Sequence, residues 1–449
     1  MLDRETARRL CEQVLDRSAA DACEVALGGG EDALTRFANN EIHQSMASSC
    51  VELSVRSVFG KRTGRASTTR LDDAGVRAVV QASEQVARLM PELEDLPELP
   101  SEQRIAAVPG AYDAETARLD AAQRAERARC IIDQARRAGF NAAGMVRCVD
   151  GEVGEYGEKG TVCLANSKGL FAWHETSSLQ VTTTVQASDS SGWADVLAHA
   201  ARDVDAAAIG HRATEKARLS AAPRSVAPGE YTVILEAAAV AELVAFLAPE
   251  FSATVVDEGR SFLSNRQGQQ LFGAGIRLSS DPFHPLHQGR PFDEIGDPTR
   301  PVVLVEDGRH RGLVYDRAAA RRHGVEPTGH ALRVPSTEGA VAGHLVLDGG
   351  ERSVQEMIAD TRRGILVSRV WYTRTVDPAT LLITGMTRDG TFWIEDGAVR
   401  HGIRNLRFNQ SVPELLRHVV AAGKPEYAWP AVVPPLKVEG FRFTSETSF

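Results

Sequence analysis

The chain has 449 residues, 43% apolar and 25% charged, an ordinary globular composition long enough for two or three buried cores. Its formal charge of -9 argues against a surface built for DNA or RNA, and no apolar run approaches the ~20 residues that cross a bilayer. Six cysteines at irregular spacing, none in a CxxC pair, read as reduced thiols of a cytoplasmic protein.

Residues 5–17 set Ala7, Leu10, Cys11, Val14 and Leu15 on one stripe, which predicts a charged amphipathic helix rather than a secretory signal. Five short strands follow at 22–27, 33–38, 41–47, 51–59 and 61–67. They are separated by Gly28-Gly29-Gly30, Asn39-Asn40, Ser48-Ser49 and Gly60, and links this short predict an antiparallel meander. Asp72 is placed to cap a helix over 74–89 that buries Val76, Val79, Val80, Ser83 and Val86, and Pro91 stops it. Proline density makes 91–109 an extended connection. Asp113 caps a long helix over 115–138 ended by Gly139. Strands at 142–149, 152–157, 160–166 and 171–185 and a helix over 203–219 complete this half.

The run SAAPRSVAPG at 220–229 divides the chain into two domains, 1–220 and 221–449. Beyond it come a strand at 231–235, an alanine-rich helix over 236–247 and the turn Asp257-Glu258-Gly259. Residues 277–301 are loop-rich, with four prolines. Asp307-Gly308 joins a hairpin of 302–305 and 310–314, and Asp396-Gly397 one of 391–394 and 399–407 with 384–387 beside it. Gly324 closes a short helix over 317–322, and Ser411 caps a last helix over 414–422 before a proline-rich tail. Strands and helices without regular βαβ spacing predict an α+β fold, each domain having a mainly antiparallel sheet with packed helices.

No catalytic signature is complete. None of the 12 histidines begins HExxH or HExxxH, the spacing that puts two imidazoles on one helical face around zinc. His174-Glu175 lies in a strand-like run and reads as a surface pair. From His323 to His330, Gly324, Pro327 and Gly329 break any helix, leaving a structural turn, a substrate-facing loop or a metal site as alternatives. His284 and His287, set among prolines, read as a rigid loop, with metal ligation as the alternative. Gly259-Arg260-Ser261 lacks the last glycine of GxSxG, so Ser261 is a turn residue. The nucleotide patterns at Gly273-Ala274-Gly275 and Gly423-Lys424 are broken.

Several stretches together resemble the TldD/PmbA family of metallopeptidase-related proteins: RFANNEIHQ at 36–44, VRSVFGKRTG at 55–64, DEGRSFL at 257–263, Asp281-Pro282, FDEIGDPT at 292–299 and PTGH at 327–330. The resemblance covers almost the whole chain. It implies that the zinc-bearing branch carries HExxxH where this chain has Ala245-Phe246-Leu247-Ala248-Pro249-Glu250, and a late cysteine where this chain has none after Cys163. It therefore implies the PmbA/TldE branch: no catalytic residue, metal ligand or cofactor here, and zinc on a TldD-like partner subunit. The pair would form a cytoplasmic dimer acting on unfolded or small peptides, without nucleic acid or membrane. Glu258, Gly259, Ser261, Thr328, Gly329 and His330, at glycine turns within the matched stretches, are the expected substrate-binding positions. The alternatives are an independent hydrolase using His284, His287, His323 and His330, or a non-catalytic peptide-binding scaffold.

Overall fold

The computed structural model describes residues 3–152, 160–287 and 289–447. The first half contains α1 (Arg4–Arg17), β1 (Ala22–Ala38), β2 (Glu41–Phe59), β3 (Arg62–Thr68), α2 (Asp73–Leu89), α3 (Ala114–Ala117) and α4 (Ala121–Arg137). It continues with β4 (Asn141–Glu152), β5 (Thr161–Asn166), β6 (Phe171–Trp173), β7 (Ser177–Gln186), β8 (Ser191–Ala198) and α5 (Ala206–Leu219). The strands form one antiparallel sheet in the order β3-β2-β1-β4-β7-β8, with β5 and β6 branching from β1. Helices α1 and α2 pack Leu10, Val14, Val76 and Val80 against Val25, Leu53 and Val55, while α4 and α5 pack Ile131 and Ile209 against Val146 and Val181. Such burial along single stripes is what holds these helices, since propensity alone is weak.

The second half contains β9 (Gly229–Leu235), α6 (Ala237–Val244), α7 (Ala253–Asp257), β10 (Leu278–Ser280), β11 (Val302–Glu306), β12 (Arg309–His310), α8 (Arg317–His323), β13 (Leu345–Leu347) and α9 (Val354–Ala359). Then follow β14 (Arg363–Asp377), β15 (Leu382–Glu395), β16 (Ala398–Gly402), β17 (Leu406–Ser411), α10 (Val412–Arg417), β18 (Val419–Ala422), β19 (Glu426–Ala428), β20 (Ala431–Val433) and β21 (Leu436–Glu446). One sheet runs β12-β11-β10-β13-β20-β19. In the other, β14, β9, β21, β17 and β15 pair in turn, and β14 pairs again with β15, so five strands close into a ring. The α+β class with mainly antiparallel sheets is as expected; β14–β9 and β13–β20 are parallel pairs.

Several expected boundaries are corrected. Gly28-Gly29-Gly30 is no turn but the middle of β1, where a Cβ on Gly30 would lie 2.1 Å from the Asp150 carbonyl oxygen. Here glycine permits close approach of strands. Ser48-Ser49 likewise lies inside β2. The long helix over 115–138 is two, because Asp120 starts α4 with a capping box to Gln123. The strand expected over 171–185 is broken at 174–176, and the helix expected to begin at 203 begins at Ala206. The helix over 236–247 ends as α6 at Val244 and continues as tighter turns at Ala245–Leu247 and Pro249–Phe251. The last helix stops at Arg417, β18 takes its second half, and the tail supplies β21 to the ring. The strand expected at 152–157 lies, beyond Glu152, outside the described residues.

Candidate functional site

A cavity of about 550 Å³ lies on the seam between the two halves and is lined by five histidines. His174, between β6 and β7, and His199, just after β8, come from the first half; His287, His330 and His344 come from loops of the second. The stretches FDEIGDPT and PTGH form one wall together. Asp293 Oδ2 accepts the Ala331 N–H at 2.9 Å, the Arg300 N–H donates to the Thr328 carbonyl at 3.0 Å, and Asp293 Oδ1 accepts the Asp297 N–H at 2.9 Å. Burial and the neighbouring Asp297 carboxylate push Asp293 upward. Asp297 is in turn clamped by Arg317 at 2.6 and 2.7 Å.

Each imidazole has a different setting. His330 Nδ1 donates to the Thr328 carbonyl at 3.0 Å, so its Nε2 accepts the Ser280 hydroxyl at 2.9 Å. His199 Nδ1 donates to the Ser177 carbonyl at 2.7 Å. Among the described residues, neither ring nitrogen of His287 has a hydrogen-bond partner and nor has His344 Nδ1; their ring centres are 5.0 Å apart. Burial pushes His174, His287 and His330 down to about 4, and it holds His344 well below its ordinary value. His174, His287, His330 and His344 are therefore neutral near pH 7 and offer lone pairs as well as N–H donors.

Beside it, Arg290 donates to Glu294 at 2.7 Å, and Arg333 Nε donates to the other Glu294 oxygen at 2.7 Å. Burial would raise Glu294, but these two guanidiniums hold it at about 2. The Thr161 hydroxyl, from the first half, reaches Glu294 at 2.8 Å, so this ion cluster ties the seam.

Of the expected positions, Gly329 and His330 line the cavity and Thr328 supports it, its Oγ1 accepting the Tyr315 N–H at 2.9 Å. The other three lie elsewhere. Glu258 pairs with Arg260 at 2.6 Å on the surface, Gly259 turns with φ +70°, and Ser261 is buried with its hydroxyl on the Glu250 carbonyl at 2.9 Å. Gly259 and Ser261 border a separate depression with residues 377–379. His174, expected at the surface, is 6% exposed because its backbone N–H bonds Val162 and draws it inward. His323 stays apart, 3.0 Å from Asp257, and does not join His287 and His330. His199, His344, Glu152, Arg290 and Glu294 are contributions that the motif reading does not single out; only Glu294 lay in a matched stretch.

At Gly329, φ is +70° and an added Cβ would lie 2.2 Å from the Pro298 carbonyl oxygen. Gly329→Ala is expected to cost about 2–5 kcal/mol from backbone strain and overpacking. Urea unfolding measures it, and a midpoint equal to that of the parent would show that the 298–330 contact yields freely.

The zinc position implied by the family resemblance fails on donor chemistry. Residues 245–250 supply one carboxylate, Glu250, and its Oε2 already accepts the Phe262 N–H at 3.1 Å. Among the described residues, no three His, Cys, Asp or Glu side chains are gathered to hold a metal ion.

Models of PmbA/TldA metallopeptidase domain 1, central domain and C-terminal domain match residues 23–87, 95–221 and 228–445. The chain belongs to the PmbA/TldD family. An uncharacterized protein of Methanocaldococcus jannaschii is 28% identical over 179 residues, 39% of this chain and 42% of that one. A protein of Methanothermobacter thermautotrophicus named metalloprotease is 26% identical over 172 residues, 38% of this chain and 37% of that one. The chain thus spans about two-fifths of the length of these relatives. The crystal structure of TldE from Thermococcus kodakarensis shares the fold, with a TM-score of 0.84, 22% identity and coverage of 98% of this chain and 99% of that one.

Proposed function

We propose that this chain is the subunit of a PmbA/TldD-type metallopeptidase that holds no zinc itself and works in a cytoplasmic dimer with an HExxxH-bearing relative on unfolded or small peptides. The observation that carries this reading is the segment 245–250, where the family resemblance puts HExxxH: Ala245 and Glu250 stand at the places of its two histidines and Phe246 at that of its glutamate, and the Glu250 carboxylate is bonded to the Phe262 N–H. In such a pair this chain would close the chamber and offer peptide-binding surface, with main-chain hydrogen bonds giving affinity that tolerates sequence.

The chain purified alone without chelator is expected to contain close to zero zinc and to leave an unfolded peptide intact. Mixed with an HExxxH-bearing relative from the same genome, it is expected to form a stable complex that cleaves the peptide. One zinc per isolated chain would overturn this reading in favour of an independent hydrolase. The unpartnered nitrogens of His287 and His344 make that the second reading.

A further inference from the structure

The charged groups that line the seam cavity are engaged with one another or with backbone. Among the described residues, Arg290 meets Glu294 at 2.7 Å and Glu152 at 3.5 Å, and Arg333 takes the other Glu294 oxygen at 2.7 Å. The Asp293 carboxyl accepts the N–H groups of Ile295, Asp297 and Ala331 at 3.1, 2.9 and 2.9 Å. His199 has the Ser177 carbonyl 2.7 Å from Nδ1 and the His287 carbonyl 3.3 Å from Nε2. A charged group entering this cavity would leave water and find its counter-ions already paired, which is costly.

What stays open is polar but uncharged. His287, 9% exposed, has no partner at either ring nitrogen, and the same holds for His344 Nδ1 and for the hydroxyl of Thr299, 4% exposed. His287 Nδ1 and His344 Nε2 also converge over Gly289, where they would lie 3.0 and 2.6 Å from an added Cβ. A neutral imidazole carries one N–H donor and one lone pair, and a hydroxyl both donates and accepts. Buried atoms of this kind call for a ligand that does both without charge, as an amide does. Around them Phe292, Leu332, Val341, Tyr427 and Trp429 give an apolar and aromatic lining. The volume of about 550 Å³ lies within the roughly 300–1,000 Å³ of cavities that enclose an organic ligand. Val341 leads into Ala342, whose N–H donates to the Ala248 carbonyl at 3.1 Å, so this wall is joined to the segment 245–250.

We propose that the seam cavity holds the interior of a peptide chain, meeting its amide groups with His287, His344 and Thr299 and its uncharged side chains with Tyr427 and Trp429, and that it excludes charged chain ends. This rests on the peptide reading given above and deepens it: the chain grips its substrate away from the termini, which suits cleavage within a peptide rather than removal of end residues.

The test is calorimetric titration of the full chain with a short peptide of alanine, glutamine and phenylalanine, acetylated and amidated at its ends, against the same peptide with free ends. The blocked form is expected to bind at least roughly tenfold more tightly, since only the free form must bury charge. His287→Phe and His344→Phe keep a ring without its nitrogens, and Thr299→Val keeps the shape without the hydroxyl. Each is expected to weaken the blocked peptide about tenfold. Thermal unfolding at pH 7 separates a lost contact from a lost fold, and Thr299→Val, the smallest change, carries the test if a ring variant fails to fold. Equal binding of the two peptides, tighter binding of the free form, or variants that bind as the parent does would each overturn the assignment. If the parent binds neither peptide, the cavity assignment falls, while the companion reading still stands or falls on zinc content and complex formation.

Discussion

Glu24→Ala is expected to destabilise the first half by about 3–5 kcal/mol, because it removes the only carboxylate from a buried row of charge. Glu24 of β1, Arg56 of β2 and Arg65 of β3 are directly opposite one another across three strands. Glu24 receives Arg56 at 2.7 Å and Arg65 at 2.8 Å, and the first two residues are 0% and 1% exposed. Arg56 already leaves Nε and Nη1 without partners, so its desolvation is offset almost wholly by this carboxylate. Burial raises Glu24, yet Arg56 and then Arg65 bring it below its ordinary value. A carboxylate lowered in the folded state contributes stability above the unfolded value and loses it as pH falls through the folded one. Urea unfolding at pH 7 measures the loss, and Glu24→Leu/Arg56→Leu is expected to recover much of it, since a well-packed apolar pair can replace a buried ion pair. An unchanged midpoint for Glu24→Ala would mean that the row contributes nothing net.

The second large effect is acid lability of the seam. His174, His287 and His330 titrate near 4 in the folded chain, against an ordinary 6.5, because burial penalises their charged form. The unfolded chain takes up these protons first, so the stability is fully present above about 6.5 and is lost as pH falls towards 4. Each histidine accounts for roughly 3 kcal/mol at most over that window. Other groups around the cavity pull both ways: Arg290, Arg333 and the remaining histidines oppose protonation, while Glu294 and Glu152 favour it. The melting temperature is expected to drop steeply between pH 6.5 and 4.5, and His287→Asn is expected to flatten the profile. A melting temperature constant from pH 7 to 4.5 would sink the account.

The sequence disclosed most where chemistry is local. Asp72, Asp113 and Ser411 each accept the backbone N–H expected of an N-cap, and Gly324 closes α8 with φ +65°. It disclosed least where burial erases alternation. The first half of β14 is buried on both faces and its second half slips register, so no period of two marks it. The tail was obscured by Pro430, Pro434 and Pro435, although LKVEGFRFT beyond them alternates as a strand should. The site was half legible: FDEIGDPT and PTGH converge on one wall, but the five histidines lie between residues 174 and 344 with no spacing in common. Only packing of the two halves brings them into one cavity.

The position of β21 bears on how the chain is made. Leu436 of β21 pairs with Leu235 of β9, so β9 emerges from the ribosome long before its neighbour exists. Until then one side of β9 has no strand, and the apolar residues meant for the ring interior, among them Val233, Ile365 and Phe408, lack their lid of Val438, Phe441 and Phe443. The second half is therefore obliged to close after synthesis of β21, through contacts of high sequence separation that form slowly and leave strand edges open to wrong partners. A cell making this protein quickly would need chaperone capacity for that half, whereas β1, β2 and β3 of the first half, consecutive in sequence, can pair as they are translated.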